Sequence, residues 1–85
     1  MSIEDKVKMI IYEQLSLLTE YDGYESIPES SRIVDDLGAD SLDIVEIILT
    51  FEEEFNIEIS EKDSYTIDTV RSAIDLIKNK TNSNK

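Results

Sequence analysis

Apolar residues recur at helical spacing in three stretches of the chain, separated by stretches where that period is lost. Ile3, Val7, Ile10, Ile11, Leu15 and Leu18 mark one face of a first helix, and Ser2 with Asp5 three residues later resembles a capping box at its start. Ile44, Ile47, Ile48, Phe51 and Phe55 follow at offsets of 3, 4, 7 and 11, so they form one stripe of a second helix. Asp40 is its predicted N-cap, and Asp43 lies in the first turn, where the helix dipole favours negative charge. Ser60 with Asp63 predicts a very short third helix. The last helix carries Val70, Ala73, Ile74 and Ile77, with Asp68 as its expected cap and Lys78 and Lys80 at the end where cations are favoured.

Between the first two helices, Thr19 to Ser31 contains Asp22-Gly23, Pro28 and three serines, and reads as a long loop that Ile27 and Ile33 pin to the core. Residues 81–85 have nothing apolar to bury and read as a flexible polar tail. The expectation is an all-α fold: a small four-helix bundle with three longer helices, one short third helix and a long loop after helix one. A single domain would occupy residues 1–80.

Composition narrows the function. The 85 residues hold 20 acids against 8 bases, a formal charge of −12. Nucleic acids and anionic membranes need clustered Lys and Arg to displace counterions, so both are excluded as partners, and basic proteins are favoured. Cysteine and histidine are absent, which removes the thiol nucleophile, the commonest general base and the commonest metal ligands. The chain is not built as an enzyme. Its apolar runs are too short for membrane insertion, and the expected location is the cytoplasm, with an organelle stroma or matrix left open.

Two features of the second helix ask for more than a core. Leu42, Val45 and Leu49 form an additional apolar stripe beside the main one. From Ile33 to Glu61 there are ten acids and no base. Contiguous apolar surface is seldom left exposed without use, and an apolar stripe rimmed by acids suits docking to a basic partner. Ser41 lies in the first turn, where backbone N–H groups lack intrahelical partners and an attached anion sits in a favourable field. Taken alone it is an ordinary first-turn serine.

The longer string is more specific. Asp36-Leu37-Gly38-Ala39-Asp40-Ser41-Leu42-Asp43, then Val45-Glu46, Phe51-Glu52-Glu53-Glu54-Phe55 and Ile57-Glu58-Ile59, resembles the acyl carrier proteins of dissociated fatty acid synthesis. So do Ile3-Glu4, Ile10-Ile11 and Glu13-Gln14-Leu15 at the start, and Thr69-Val70 with Ala73-Ile74-Asp75 near the end. The resemblance implies a monomeric, non-catalytic carrier. Ser41 would bear 4′-phosphopantetheine, taken from coenzyme A, and growing acyl chains would ride on it as thioesters. It further implies a partner surface of Asp40, Leu42, Val45, Glu46, Leu49 and Glu53, and an acyl pocket of Ile44, Ile47, Phe51, Ile59 and Ile67. The implied partners are a phosphopantetheinyl transferase (holo-carrier synthase), ketoacyl synthase, ketoacyl reductase, dehydratase, enoyl reductase and acyltransferases. Ile33, Ser60 and Ser64 depart from the residues frequent in the family, and the first loop is a few residues longer.

Other readings compete with this one. A polyketide or specialised lipid carrier shares the same motif. An unmodified acidic helical adaptor fits the charge but leaves the Asp-Ser-Leu context unexplained. A divalent-cation-binding protein finds an EF-hand length in Asp35 to Glu46, with Asp first and Glu twelfth. It fails inside, where Leu37 and Ala39 take ligand positions and Asp40 stands where glycine is required. No specific metal site is therefore expected.

Overall fold

Each helix begins at a side chain that satisfies a backbone donor in its first turn. In the computed structural model, which describes residues 2–17 and 20–82, α1 spans Ile3–Gln14, α2 Ser41–Phe55, α3 Glu61–Ser64 and α4 Val70–Asn82. The Ser2 hydroxyl accepts from the Asp5 N–H at 3.1 Å. At α3 the Ser60 hydroxyl accepts from the Asp63 N–H at 3.0 Å, and the Asp63 carboxylate accepts from the Ser60 N–H at 3.4 Å. The all-α expectation holds, with three longer helices and one short one. Leu18, Thr19 and residues 83–85 lie outside the described residues.

α4 corrects one expectation. Its cap is Thr69, not Asp68: the Thr69 hydroxyl accepts from the Ser72 N–H at 3.1 Å. In return the Ser72 hydroxyl accepts from the N–H groups of Asp68 and Thr69 at 2.8 and 2.9 Å. Asp68 is engaged elsewhere, its carboxylate 3.9 Å from Arg32 and its carbonyl accepting from the Ile33 N–H at 2.9 Å. α4 also runs two residues into the expected tail, where the Thr81 hydroxyl donates to the carbonyls of Ile77 and Lys78.

The core draws Val7 and Ile11 from α1, Ile47 and Phe51 from α2, and Val70, Ala73, Ile74 and Ile77 from α4. α1 packs against both α2 and α4. Each fully buried Ile or Phe is worth about 1.5–3 kcal/mol relative to exposure, so these residues dominate the stability of so small a domain. Phe51 meets Phe55 edge to face, with centroids 6.3 Å apart, and the Lys6 ammonium lies 5.8 Å from the Phe55 centroid.

Among its described residues the long loop is irregular apart from a 3-10 turn at Tyr24–Ser26, but it is tied down at several points. Ile27 and Ile33 are buried, as the sequence predicts, and Leu17 joins them. The Tyr12 hydroxyl donates to the Tyr21 carbonyl at 3.3 Å. Glu29 is a clamp: its carboxylate takes Arg71 at 2.8 Å and Lys8 at 3.4 Å, while its carbonyl accepts the Arg71 N–H at 2.8 Å. Further on, Arg32 and Thr69 form an isolated antiparallel bridge that fixes the approach to α2 against the start of α4.

The lysines near the end of α4 serve as ties between elements. Lys78 reaches Glu4 of α1 at 2.7 Å, and Lys80 reaches Asp63 of α3 at 2.6 Å. Both carboxyls are held below the usual carboxylate range, chiefly by these lysine hydrogen bonds. Among the described residues, no helix is long and apolar enough to cross a membrane.

Candidate functional site

The segment before α2 presents Ser41 through a short series of backbone and side-chain constraints. Ile33, Leu37 and Ala39 are buried, anchoring the turn between them. Gly38 has φ +79°, a left-handed conformation that a side chain disfavours, although open space surrounds the position a Cβ would take. Its N–H donates to the Val34 carbonyl and the Ala39 N–H to the Ile33 carbonyl, both at 3.1 Å. Asp40 is then extended and forms a full capping box with Asp43: its carboxylate accepts from the Asp43 N–H at 2.9 Å, and the Asp43 carboxylate from the Asp40 N–H at 3.2 Å.

Ser41 follows as the first residue of a 15-residue helix. It is exposed, and its hydroxyl has no hydrogen-bond partner among the described residues. An oxygen available to a reagent and placed at the positive end of a helix is well suited to carry a phosphodiester.

The expected partner residues share the exposed side of α2. Leu42, Val45 and Leu49 are 64, 52 and 53% exposed, whereas Ile47 and Phe51 of the same helix are buried. Packing thus resolves the two stripes: one builds the core and the other faces solvent. Glu53 is exposed. Glu46 is also exposed but accepts from the Gln14 side chain at 2.6 Å, linking α2 to the end of α1. Asp40 spends its carboxylate on the cap, so it brings charge to this surface more than an unoccupied acceptor.

The acids of α2 keep their charge uncompensated. Among the described residues, the ion pairs engage Glu4, Glu29, Asp35, Asp63, Asp68 and Asp75, none of them in α2. Glu52 differs from its neighbours in role, because its carboxylate accepts the Ile59 N–H at 2.8 Å and holds the segment after α2.

Of the five expected pocket residues, Ile47, Phe51 and Ile59 are buried and Ile44 and Ile67 pack half-buried against the same core. Two surface clefts, of about 360 and 210 Å³, lie elsewhere; one is lined by Asp63, Thr66, Ser72, Asp75, Leu76 and Asn79, the other by Lys6, Met9, Ile10, Glu13, Thr50 and Glu54. Two exposed apolar side chains escaped the sequence analysis, Val34 at 54% and Tyr65 at 77%. Their only signal was an apolar residue out of phase with every stripe.

The EF-hand alternative does not survive this geometry. Leu37 and Ala39 are buried in the core, and Ser41 to Glu46 are helical where a calcium loop would have to wrap an ion.

Residues 11–77 match a protein family described as a phosphopantetheine attachment site. The chain is 50% identical over 80 residues to an acyl carrier protein of Nitratidesulfovibrio vulgaris (strain DP4), covering 94% of this chain and 99% of the relative. The chain belongs to the acyl carrier protein family. It is likewise 47% identical over 79 residues to an acyl carrier protein of Buchnera aphidicola subsp. Acyrthosiphon pisum (strain 5A), covering 93% of this chain and 92% of that one. A third carrier, from Buchnera aphidicola subsp. Baizongia pistaciae (strain Bp), is 48% identical over 77 residues. An acyl carrier is non-catalytic and works through a phosphopantetheine group, which supplies the thiol that a chain without cysteine lacks. The residues fit that group: an exposed hydroxyl at a helix start, open space at Gly38, and no side chain hydrogen-bonded to the oxygen among the described residues.

Proposed function

We propose that Ser41 is the attachment point of 4′-phosphopantetheine, and that the carrier holds growing acyl chains there as thioesters for the enzymes of fatty acid synthesis. The observation that carries this reading is the exposed Ser41 hydroxyl directly after the Asp40–Asp43 capping box. The cap leaves the serine at the start of the helix, with its hydroxyl hydrogen-bonded to no group among the described residues. A long arm on that position reaches successive active sites while the bundle stays folded.

Docking in this reading uses the exposed side of α2. Leu42, Val45 and Leu49 supply apolar contact, while Asp40, Glu46 and Glu53 steer basic enzymes by long-range attraction. The partners are a phosphopantetheinyl transferase, then ketoacyl synthase, ketoacyl reductase, dehydratase, enoyl reductase and acyltransferases, encountered in the cytoplasm by a monomeric carrier. The acyl chain shelters between helices near Ile44, Ile47, Phe51, Ile59 and Ile67, where the four branched isoleucines part more readily than a core of packed rings.

The test is intact mass after incubation with coenzyme A and a phosphopantetheinyl transferase. Wild type gains one phosphopantetheine, and Ser41→Ala gains none while retaining its helical circular dichroism. Modification of the Ala variant overturns the assignment. Leu49→Ala then speeds dissociation from the transferase with little salt dependence, at a cost of up to about 2 kcal/mol.

A further inference from the structure

Three Asp residues precede a small residue with which an aspartyl chain can cyclise: Asp22-Gly23, Asp40-Ser41 and Asp63-Ser64. The structure treats them differently. Asp40 and Asp63 are locked in capping boxes, each carboxylate accepting a backbone N–H, and Ser64 donates its own N–H to the Ser60 carbonyl at 3.0 Å. Asp22 is exposed, lies outside any helix, and its carboxylate makes no hydrogen bond among the described residues. The Gly23 N–H likewise donates to no group among the described residues, and no side chain caps the 3-10 turn that begins after it. Nucleophile and electrophile are therefore both unengaged at this one dipeptide.

We propose that Asp22-Gly23 is a site of spontaneous isoaspartate formation, and that the aged carrier is a substrate for an isoaspartyl carboxyl methyltransferase. The Gly23 nitrogen, losing its proton to solvent, attacks the carboxyl carbon of Asp22. A new C–N bond forms, the carboxyl C–O bond breaks, and one water leaves, giving a succinimide. Water then adds to either ring carbonyl and breaks one of the two C–N bonds. Attack at the main-chain carbonyl leaves the backbone running through the side-chain carbon, and attack at the other restores aspartate. No oxidant is required and the net mass is unchanged.

The position gives the change a consequence. The dipeptide lies between two anchors: the Tyr21 carbonyl, which takes the Tyr12 hydroxyl, and the Gly23 carbonyl, which accepts from the Ser26 N–H at 3.0 Å just before buried Ile27. An added backbone methylene between fixed points loosens the loop from α1. By contrast, the capping box that presents Ser41 also protects the Asp40-Ser41 bond beside it.

The test ages the folded 85-residue chain at neutral pH and about 37 °C, where loops open locally at lower cost than the core. Samples then receive isoaspartyl methyltransferase with labelled S-adenosylmethionine, and the label is mapped by peptide mass spectrometry. Methyl acceptance should grow with time and map to residue 22. Gly23→Ala should lower it several-fold without unfolding the protein, because Gly23 is extended (φ 170°) and a Cβ there would meet only the Glu25 side chain, at 3.7 Å. Ageing in denaturant should release Asp40 and Asp63 from their caps and add label at both. Label absent from the folded protein, mapped first to residue 40 or 63, or unchanged by Gly23→Ala overturns the proposal.

Discussion

The Glu52 carboxylate accepts the backbone N–H of Ile59 at 2.8 Å, across the left-handed turn at Asn56 that ends α2. Its neighbour Glu53 is exposed, and its side chain makes no hydrogen bond or ion pair among the described residues. Adjacent acids in one acidic run therefore have separate roles. Glu52→Ala should lower stability by about 1–2 kcal/mol, since a partly buried donor loses a charged acceptor. Glu53→Ala should stay within about 0.5 kcal/mol of wild type. Urea unfolding of the two variants makes the comparison, and equal midpoints would show that the Ile59 bond contributes little.

Asp40 caps α2 and, in the proposed reading, also lends its charge to docking. Asp40→Ala should cost about 0.5–2 kcal/mol through loss of the cap. Asp40→Asn keeps an oxygen for the Asp43 N–H and should recover most of that stability. Both variants lose the charge, so both should associate more slowly with a basic transferase at low salt. If Asn destabilises as much as Ala, the carboxylate's charge at the helix start outweighs its hydrogen bond.

Glu4 and Asp63 contribute to the acid limb of the stability profile. Their carboxyls are held below the usual range by Lys78 and Lys80. A depressed folded-state value means that ionisation favours the fold. This stabilisation is fully present above the ordinary carboxylate range and is lost as pH falls through the folded-state values. Lys78→Met should flatten that limb by removing Glu4's partner. Urea midpoints from neutral to acid pH, wild type against variant, should converge as the carboxylates protonate.

Salt should stabilise the carrier. A charge of −12 on 85 residues, with the α2 acids outside every ion pair found among the described residues, leaves repulsion that ions screen over about 10 Å at 0.1 M. The melting temperature should rise with sodium chloride. Millimolar magnesium or calcium should add more than matched ionic strength. A flat salt profile would mean that the repulsion has little weight against the core.

Acylation should stabilise further. Each fully buried methylene gains about 0.8 kcal/mol, so melting temperature should climb from the phosphopantetheinylated form through short and medium acyl chains until the space among Ile44, Ile47, Phe51, Ile59 and Ile67 is filled. Equal melting temperatures across the series would place the chain in solvent.

Local features were legible in the sequence because their partners lie three or four residues apart. The cap pairs Ser2–Asp5, Asp40–Asp43 and Ser60–Asp63 form as their spacing predicts, and the helical period marked every long helix. The longer string around Asp40-Ser41-Leu42 implies Ser41 as the attachment residue by resemblance, which requires no packing. What the tertiary structure decided depends on groups far apart in the chain. Asp68 had the right side chain for a cap, but its engagement with Arg32 and Ile33 leaves Thr69 to begin α4. Two apolar stripes on α2 were readable, yet only packing of Ile47 and Phe51 into the core left Leu42, Val45 and Leu49 exposed. Nothing in the sequence marks Glu29 and Glu52 as the acids to which the fold brings Arg71, Lys8 and the Ile59 N–H. A periodic pattern specifies which side of a helix can be buried; which polar groups then meet is decided by where the other helices bring their own.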